Sequence, residues 1–244
     1  MKAVTYHRYG DSDVLRYEEV LQPTPAPGQV LVRVAATSFN PVDAGIRGGY
    51  LSDVYDITFP HTPGIDVAGT IAEVGAGVSG WHIGDTVVGL LPLDGDGAAA
   101  EYVRAPAEVL TAAPRTVALA DSAALPTVGL TAWQALFEVA ELTAGQTILI
   151  NGAGGAVGGY AVQLAKRAGA IVTATASARS ASRLRRYGAD RIIDRIDYAS
   201  TPPAVAGAPF DVVLNLVSTT AADTEALIGL VVDGGVHVGT MASG

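Results

Sequence analysis

One stretch limits the folds open to this 244-residue chain more than any other: Thr147-Ile148-Leu149-Ile150-Asn151-Gly152-Ala153-Gly154-Gly155-Ala156-Val157-Gly158. Its apolar start reads as a buried strand. Glycines then turn the chain, and Val157, Ala161, Leu164 and Ala168 recur at helical spacing. A strand that ends in such a turn and opens a helix gathers free backbone N–H groups and the positive end of the helix dipole at one point. Without Cβ atoms in the way, a pyrophosphate can approach that backbone closely. Read as Ala153-x-Gly155-x-x-Gly158, the stretch is a dinucleotide fingerprint with Ala in the first glycine place. The bland alternative is a tight strand–helix turn that holds nothing. The units that follow argue against it.

Those units are a strand at Ile171–Thr175, a basic helix at about 180–187, a short strand at 191–193 and a strand at 211–217. A helix over 220–232 and a strand over 236–239 complete the pattern, and a helix over 121–140 precedes it, with Trp133, Leu136, Phe137 and Ala140 at its spacing. Strands separated by helices need crossover connections and hence a parallel sheet. Before residue 120 the grammar differs. Short apolar runs at 30–34, 67–74 and 86–90 are cut by Gly and Pro, which predicts a compact, mostly β domain. The expected organisation is α/β: a mostly β domain over 1–120 and a doubly wound domain over 121–244. The Gly-rich segment 94–100 is expected to be a mobile loop.

Charge narrows the function. Twenty-four acidic against fifteen basic residues give a net charge of −9, which disfavours a nucleic-acid groove, since phosphates need a clustered basic face. With no cysteine there is no disulfide, thiolate metal site or cysteine nucleophile. The N-terminus lacks the apolar stretch of a secretory signal, and no apolar run reaches the roughly 18 residues of a membrane span. A cytoplasmic chain without membrane or nucleic-acid partners is the expectation.

The second strand identifies the nucleotide. NAD sites usually place Asp or Glu there, about 20 residues after the turn, on the ribose 2′-hydroxyl. This chain reads Thr175-Ala176-Ser177-Ala178-Arg179, hydroxyls and arginine instead. A 2′-phosphate needs donors and positive charge. Ser177 and Arg179 are the first candidates, Arg195 a third, and NADPH the expected cofactor. The competing reading is a solvated basic helix end, with Arg183, Arg185 and Arg186 facing water. Val217, at the carboxyl end of the fourth strand, is expected near the nicotinamide half by the switch-point rule.

With these residues in place, further motifs align in order: Asn40-Pro41-Val42-Asp43 with Arg47-Gly48-Gly49, Pro63-Gly64-Ile65-Asp66-Val67-Ala68-Gly69, Gly84-Asp85-x-Val87, Ala100-Glu101-Tyr102, Leu130-Thr131-Ala132-Trp133 and the run from Gly145 to Lys166. Together they resemble the zinc-independent quinone oxidoreductase (zeta-crystallin-like) branch of the medium-chain dehydrogenase/reductase superfamily. The resemblance implies a GroES-like catalytic domain followed by a Rossmann domain, with the active site in the cleft between them. Zinc relatives carry Cys where Asn40 stands and Gly-His-Glu where Gly64-Ile65-Asp66 stands, so no metal is expected. Family chains usually run on past this point, completing the sheet and the cleft wall. A homodimer is plausible by resemblance, although the segment that usually mediates it would lie beyond Gly244.

The resemblance implies NADPH-dependent reduction of a quinone or an α,β-unsaturated carbonyl. An enoyl reductase acting on a carrier-bound or specialised-metabolite intermediate, and an NADP(H)-binding sensor without turnover, are the alternatives. Cofactor contacts at the turn fall to Gly152, Gly155, Ala156, Val157 and Gly158. Asn40 is implied to touch cofactor and substrate, its amide donating to the acceptor's oxygen or to a ribose, against a plain turn asparagine before Pro41. Thr127 is implied at the nicotinamide, against a helix-capping threonine. The branch often has Tyr where Gly45 stands; Tyr50 is the substitute candidate for proton donor, against an ordinary surface tyrosine. Asp43, Asp66 and His61 read as structural, and His237 as core.

Overall fold

The computed structural model describes residues 1–200 and 202–240. The chain divides into two compact units, Met1–Thr127 and a second from Val128 onward.

In the first unit, β1 (Lys2–Thr5) and β2 (Arg16–Glu19) form an antiparallel ladder. A five-stranded antiparallel sheet contains β3 (Gln29–Ala36), β4 (Asp66–Val74), β5 (Thr86–Leu90), β6 (Tyr102–Pro106) and β7 (Leu110–Ala112), in the order β6-β3-β4-β5-β7. Alternate residues, among them Val30, Val32, Val67, Ile71, Val87 and Val103, pack into one core, as the two-residue period of a strand requires. Gly69 falls on that period between Val67 and Ile71. A Cβ there would run into the Arg33 carbonyl and the Val32 side chain, close to the register shift between β3 and β4. The small residues in the 67–74 run are thus a packing requirement.

Helix α1 (Pro41–Gly48) sits between β3 and β4. Asn40 is its N-cap residue, Pro41 supplies a preset φ at its first position, and Gly49, at φ +79°, ends it in the left-handed region. Segment 94–100 differs from its expected mobility. Gly97, Ala98 and Ala99 donate their N–H groups to the carbonyls of Thr62, Gly64 and Pro63 at 2.7, 2.7 and 2.9 Å, and Ala98 is buried. Its small residues allow two backbone segments to lie against each other.

Helix α2 (Pro126–Trp133) occupies part of the span read as one helix over 121–140. A 3₁₀ turn, Asp121–Ala124, precedes it, because Pro126 cannot donate and interrupts the ladder; a π-helical stretch, Gln134–Val139, follows. The second unit then runs β8 (Thr147–Asn151), α3 (Ala156–Arg167), β9 (Ile171–Thr175), α4 (Ala178–Tyr187), β10 (Arg191–Ile193), β11 (Phe210–Asn215), α5 (Ala221–Ile228) and β12 (Val231–Gly239). All pairings are parallel, in the order β10-β9-β8-β11-β12. Chain order reverses between β8 and β11, which makes that the switch point of a doubly wound sheet. Ile148 and Ile150 pack with Ala161, Val162 and Leu184 of α3 and α4, whereas Leu149 packs with Leu227 of α5 on the other face.

The helix expected over 220–232 ends at Ile228, and the strand expected over 236–239 begins at Val231. Gly229 closes the helix, Val231 pairs with Phe210, and Gly234 at φ +80° accommodates an irregularity before Val236 resumes pairing at Val212. The β-branched Val231 and Val232 favour strand over helix once the helix has stopped.

Two consequences are measurable. A Cβ on Gly158 would fall 2.7 Å from the Ala153 carbonyl carbon, with backbone on the other side of the contact. Gly158→Ala is expected to lower unfolding free energy by about 1–3 kcal/mol, whereas Gly129→Ala, with nothing within 4 Å, should be neutral or stabilise α2 by up to about 1 kcal/mol. Thermal unfolding of both variants checks this. At the start of the sheet, the Thr147 backbone N–H and hydroxyl both donate to Asp211 at 2.7 Å and hold its carboxyl below the ordinary value. That contribution is complete above the unfolded value, near 4, and vanishes as pH falls through the lower folded value. Wild type should lose more stability than Asp211→Asn between about pH 5 and pH 2, measured by urea denaturation.

Candidate functional site

The turn after β8 is shaped by what its glycines exclude. Gly152 has φ +84°, and a Cβ there would meet Val217 Cγ1 at 2.7 Å. Gly158 lets α3 close onto Ala153. Gly155 has only the Gly152 carbonyl at 3.4 Å from an added Cβ, so the space above it is open. Gly155 is also the N-cap residue of α3 and has no side chain to cap it, which leaves the first-turn N–H groups of Ala156, Val157 and Gly158 without an intrahelical partner. Polar side chains fix the turn from behind. Gly152 N–H donates to Thr175 Oγ1 at 2.8 Å, Thr175 Oγ1 to Asn151 Oδ1 at 3.1 Å, and Asn151 Nδ2 to Asn215 Oδ1 at 2.9 Å. The carboxyl ends of β8, β9 and β11 are thereby tied together.

In front of the turn lies an open groove of about 400 Å³, walled by Gly152, Gly154 and Gly155, by Ser177, Arg179, Ser180 and Arg183, and by Asp194 and Val217. Its size suits a nucleotide. Ser177 is the N-cap residue of α4, yet its hydroxyl makes no capping bond and has only a long contact, 3.4 Å, with the Ser180 hydroxyl. Arg179 is exposed at the groove, and Val217 lines it beside Gly152. Arg195 is exposed but does not line the groove; its neighbour Asp194 does. Arg183 belongs to the site rather than to solvent alone: its Nη2 donates to the Gly154 carbonyl at 2.7 Å. Its spacing from Arg179, one helical turn on the same face, was the signal available in the sequence. An uncapped helix N-terminus, a glycine cradle with space above it and arginines at the end of β9 are chemically suited to phosphate groups.

The first unit carries a separate polar cluster. Asp66, at the start of β4, is 1% exposed. Its Oδ1 accepts from the backbone N–H and hydroxyl of Thr127, both at 2.8 Å; its Oδ2 accepts from Asn40 Nδ2 at 2.9 Å and from the Ser38 hydroxyl. The carboxylate can only accept, so the amide nitrogen of Asn40 must face it. That nitrogen also donates to Ser38 Oγ at 3.2 Å, so both amide hydrogens are taken. Asn40 is therefore not placed to donate to an acceptor's oxygen. Its Oδ1 is left as an acceptor. Asp43 is an organiser as read: it accepts from the N–H groups of Asn40, Gly64 and Ile65 at 2.7, 3.0 and 3.2 Å.

Tyr50 is 87% exposed, its ring over Gly48, and lines a surface groove with Pro41, Gly45 and Arg47. No hydrogen bond joins it to the Asp66 cluster among the described residues. His61 is buried edge-on to the Tyr6 ring, with centroids 5.3 Å apart, and burial pushes its pKa below the ordinary value. His237 is half-buried, and its Nε2 has no partner among the described residues. No group of three His, Asp or Glu side chains suited to a metal occurs among the described residues.

These two units define a doubly wound α/β body preceded by a β body that bears a buried polar cluster. Residues 26–115 match the alcohol dehydrogenase GroES-like domain. The chain is 42% identical over 200 residues to the chloroplast envelope quinone oxidoreductase homolog of Arabidopsis thaliana, covering 80% of this chain and 61% of that protein. It is 36% identical over 225 residues to the chloroplastic quinone-oxidoreductase QR1 of Triphysaria versicolor, covering 89% and 68%. A crystal structure of an alcohol dehydrogenase superfamily protein from Novosphingobium aromaticivorans superposes with a TM-score of 0.87 at 32% identity, covering 100% of this chain and 73% of that one. The chain belongs to the quinone oxidoreductase branch of the medium-chain dehydrogenase/reductase superfamily. It spans about three fifths of the length of the Arabidopsis relative.

Removing the Asp66 carboxylate strands four donor groups in a buried setting. Asp66→Ala is expected to cost about 3 kcal/mol or more in urea denaturation, well above the cost of Asn40→Ala, which frees only part of the cluster.

Proposed function

We propose that this chain carries the cofactor and catalytic units of an NADPH-dependent, zinc-independent oxidoreductase that reduces a quinone or an α,β-unsaturated carbonyl. The observation that carries the reading is the groove at the end of β9. It offers the Ser177 hydroxyl and the Arg179 guanidinium, and no carboxylate follows Thr175 where an NAD site would have one. A guanidinium matches phosphate oxygens with paired hydrogen bonds, which favours the 2′-phosphate. The first-turn N–H groups of α3 and the open space over Gly155 receive the pyrophosphate.

When bound, the nicotinamide supplies a hydride to an electron-poor carbon. The chain's own task is to hold and orient. Asp66 and Ser38 take the amide hydrogens of Asn40, whose Oδ1 is then suited to a donor group rather than to an oxyanion. An acceptor that delocalises its own developing charge needs least help from the protein, and quinones and enones do so. Zinc would find poor ligands here, since the chain has no cysteine and Asn40 and Ile65 stand at the places named above.

Fluorescence titration with NADPH and NADH tests the reading. Wild type should prefer NADPH. Arg179→Ala should weaken NADPH by about ten- to a hundredfold, the worth of a charge-assisted contact, and leave NADH nearly unchanged. Arg183→Ala, which releases Gly154, should weaken both. Equal losses for both cofactors in Arg179→Ala would remove the 2′-phosphate assignment. Binding without turnover of any quinone or enone would leave a cofactor-binding protein rather than an enzyme.

A further inference from the structure

Asp194 is a carboxylate in a groove otherwise furnished for phosphates. It lines the same walls as Ser177, Arg179 and Arg183, directly after β10. It is exposed, and its side chain makes no ion pair and no hydrogen bond among the described residues. The arginines have not recruited it as a counter-ion. Nor can it serve a phosphate, since an ionised carboxylate only accepts hydrogen bonds and repels another anion. Any ligand group that faces it must be a donor.

Sheet order indicates which donor. The pyrophosphate cradle stands over the end of β8, and the sheet continues outward from there to β9 and then β10. Neighbouring strands lie about 4.8 Å apart, so each step along the nucleotide, from pyrophosphate to ribose to base, advances roughly one strand. Ser177 and Arg179, after β9, fall at the ribose. Asp194, after β10, falls at the base. Adenine carries a donor on that reach, its exocyclic 6-amino group.

We propose that Asp194 reads the adenine 6-amino group and makes the site selective for the base of the dinucleotide. This rests on the dinucleotide reading of the groove but not on the 2′-phosphate assignment. Hypoxanthine is the discriminating probe, because it replaces the amino donor with a carbonyl oxygen. That oxygen would face the carboxylate with no hydrogen between them.

The test is a fluorescence titration of the full chain with NADPH and with reduced nicotinamide hypoxanthine dinucleotide phosphate. Wild type should bind the adenine form about five- to tenfold more tightly, a modest factor for an exposed hydrogen bond to a charged group. Asp194→Ala should remove that preference, and Asp194→Asn, which offers both a donor and an acceptor, should accept both bases. Both variants should keep the preference for NADPH over NADH. Arg179→Ala should behave oppositely, keeping base selectivity and losing phosphate selectivity. Equal affinity of wild type for the two bases, or a base preference that survives in Asp194→Ala, would overturn the proposal and leave the cofactor reading standing. If wild type binds NADH and NADPH equally, only the phosphate assignment falls, and the comparison is made with NADH and its hypoxanthine counterpart. Binding of no dinucleotide by wild type would overturn both.

Discussion

A carboxylate with almost no solvent contact persists only where its lone pairs are met, and Asp66 meets that condition with donors from Ser38, Asn40 and Thr127. The first unit is arranged around this requirement. Segments before α1 and at the end of the unit converge on the first residue of β4, and Asp43 holds the 64–65 turn that delivers Asp66 there. The bonds also set polarity. Every hydrogen that Asn40 and Thr127 spend on Asp66 is one they do not offer outward, so one buried negative charge decides which side of a hydrogen bond the cluster presents.

What the sequence made legible was mostly what sterics dictate locally. The fingerprint glycines were readable because Gly152 needs a positive φ and Gly158 a close approach to Ala153, and neither requirement depends on distant partners. The parallel sheet followed from alternating periods. The α5 boundary was misread because 226–232 is apolar apart from Gly229, and the apolar run itself does not show that the helix stops at Gly229 and that Val231 pairs with Phe210. The role of Asn40 was misjudged for a similar reason. Its chemistry is set by a residue 26 positions away, and that of Thr127 by the same residue 61 positions away. Arg183 resembled a solvated helix arginine because the carbonyl it binds lies on another element. Spacing reveals which face a side chain occupies; it does not reveal what stands opposite.

The two units hold their polar groups in physically different ways. The α/β unit uses backbone donors and exposed guanidinium groups, which act through charge and tolerate small displacements. The β unit uses a buried, fully paired network, in which displacement of one member leaves others unpaired.

The amide pair between Asn151 and Asn215 spans the switch point, where α3 and α5 leave for opposite faces of the sheet. That pair, with Thr175 and Gly152 bonded to it, sets the width of the crevice floor before any ligand arrives. The entropy of ordering the floor is therefore spent during folding rather than at binding. The floor is fixed by the fold, and whatever adjustment a guest requires falls to the exposed guanidinium groups above it.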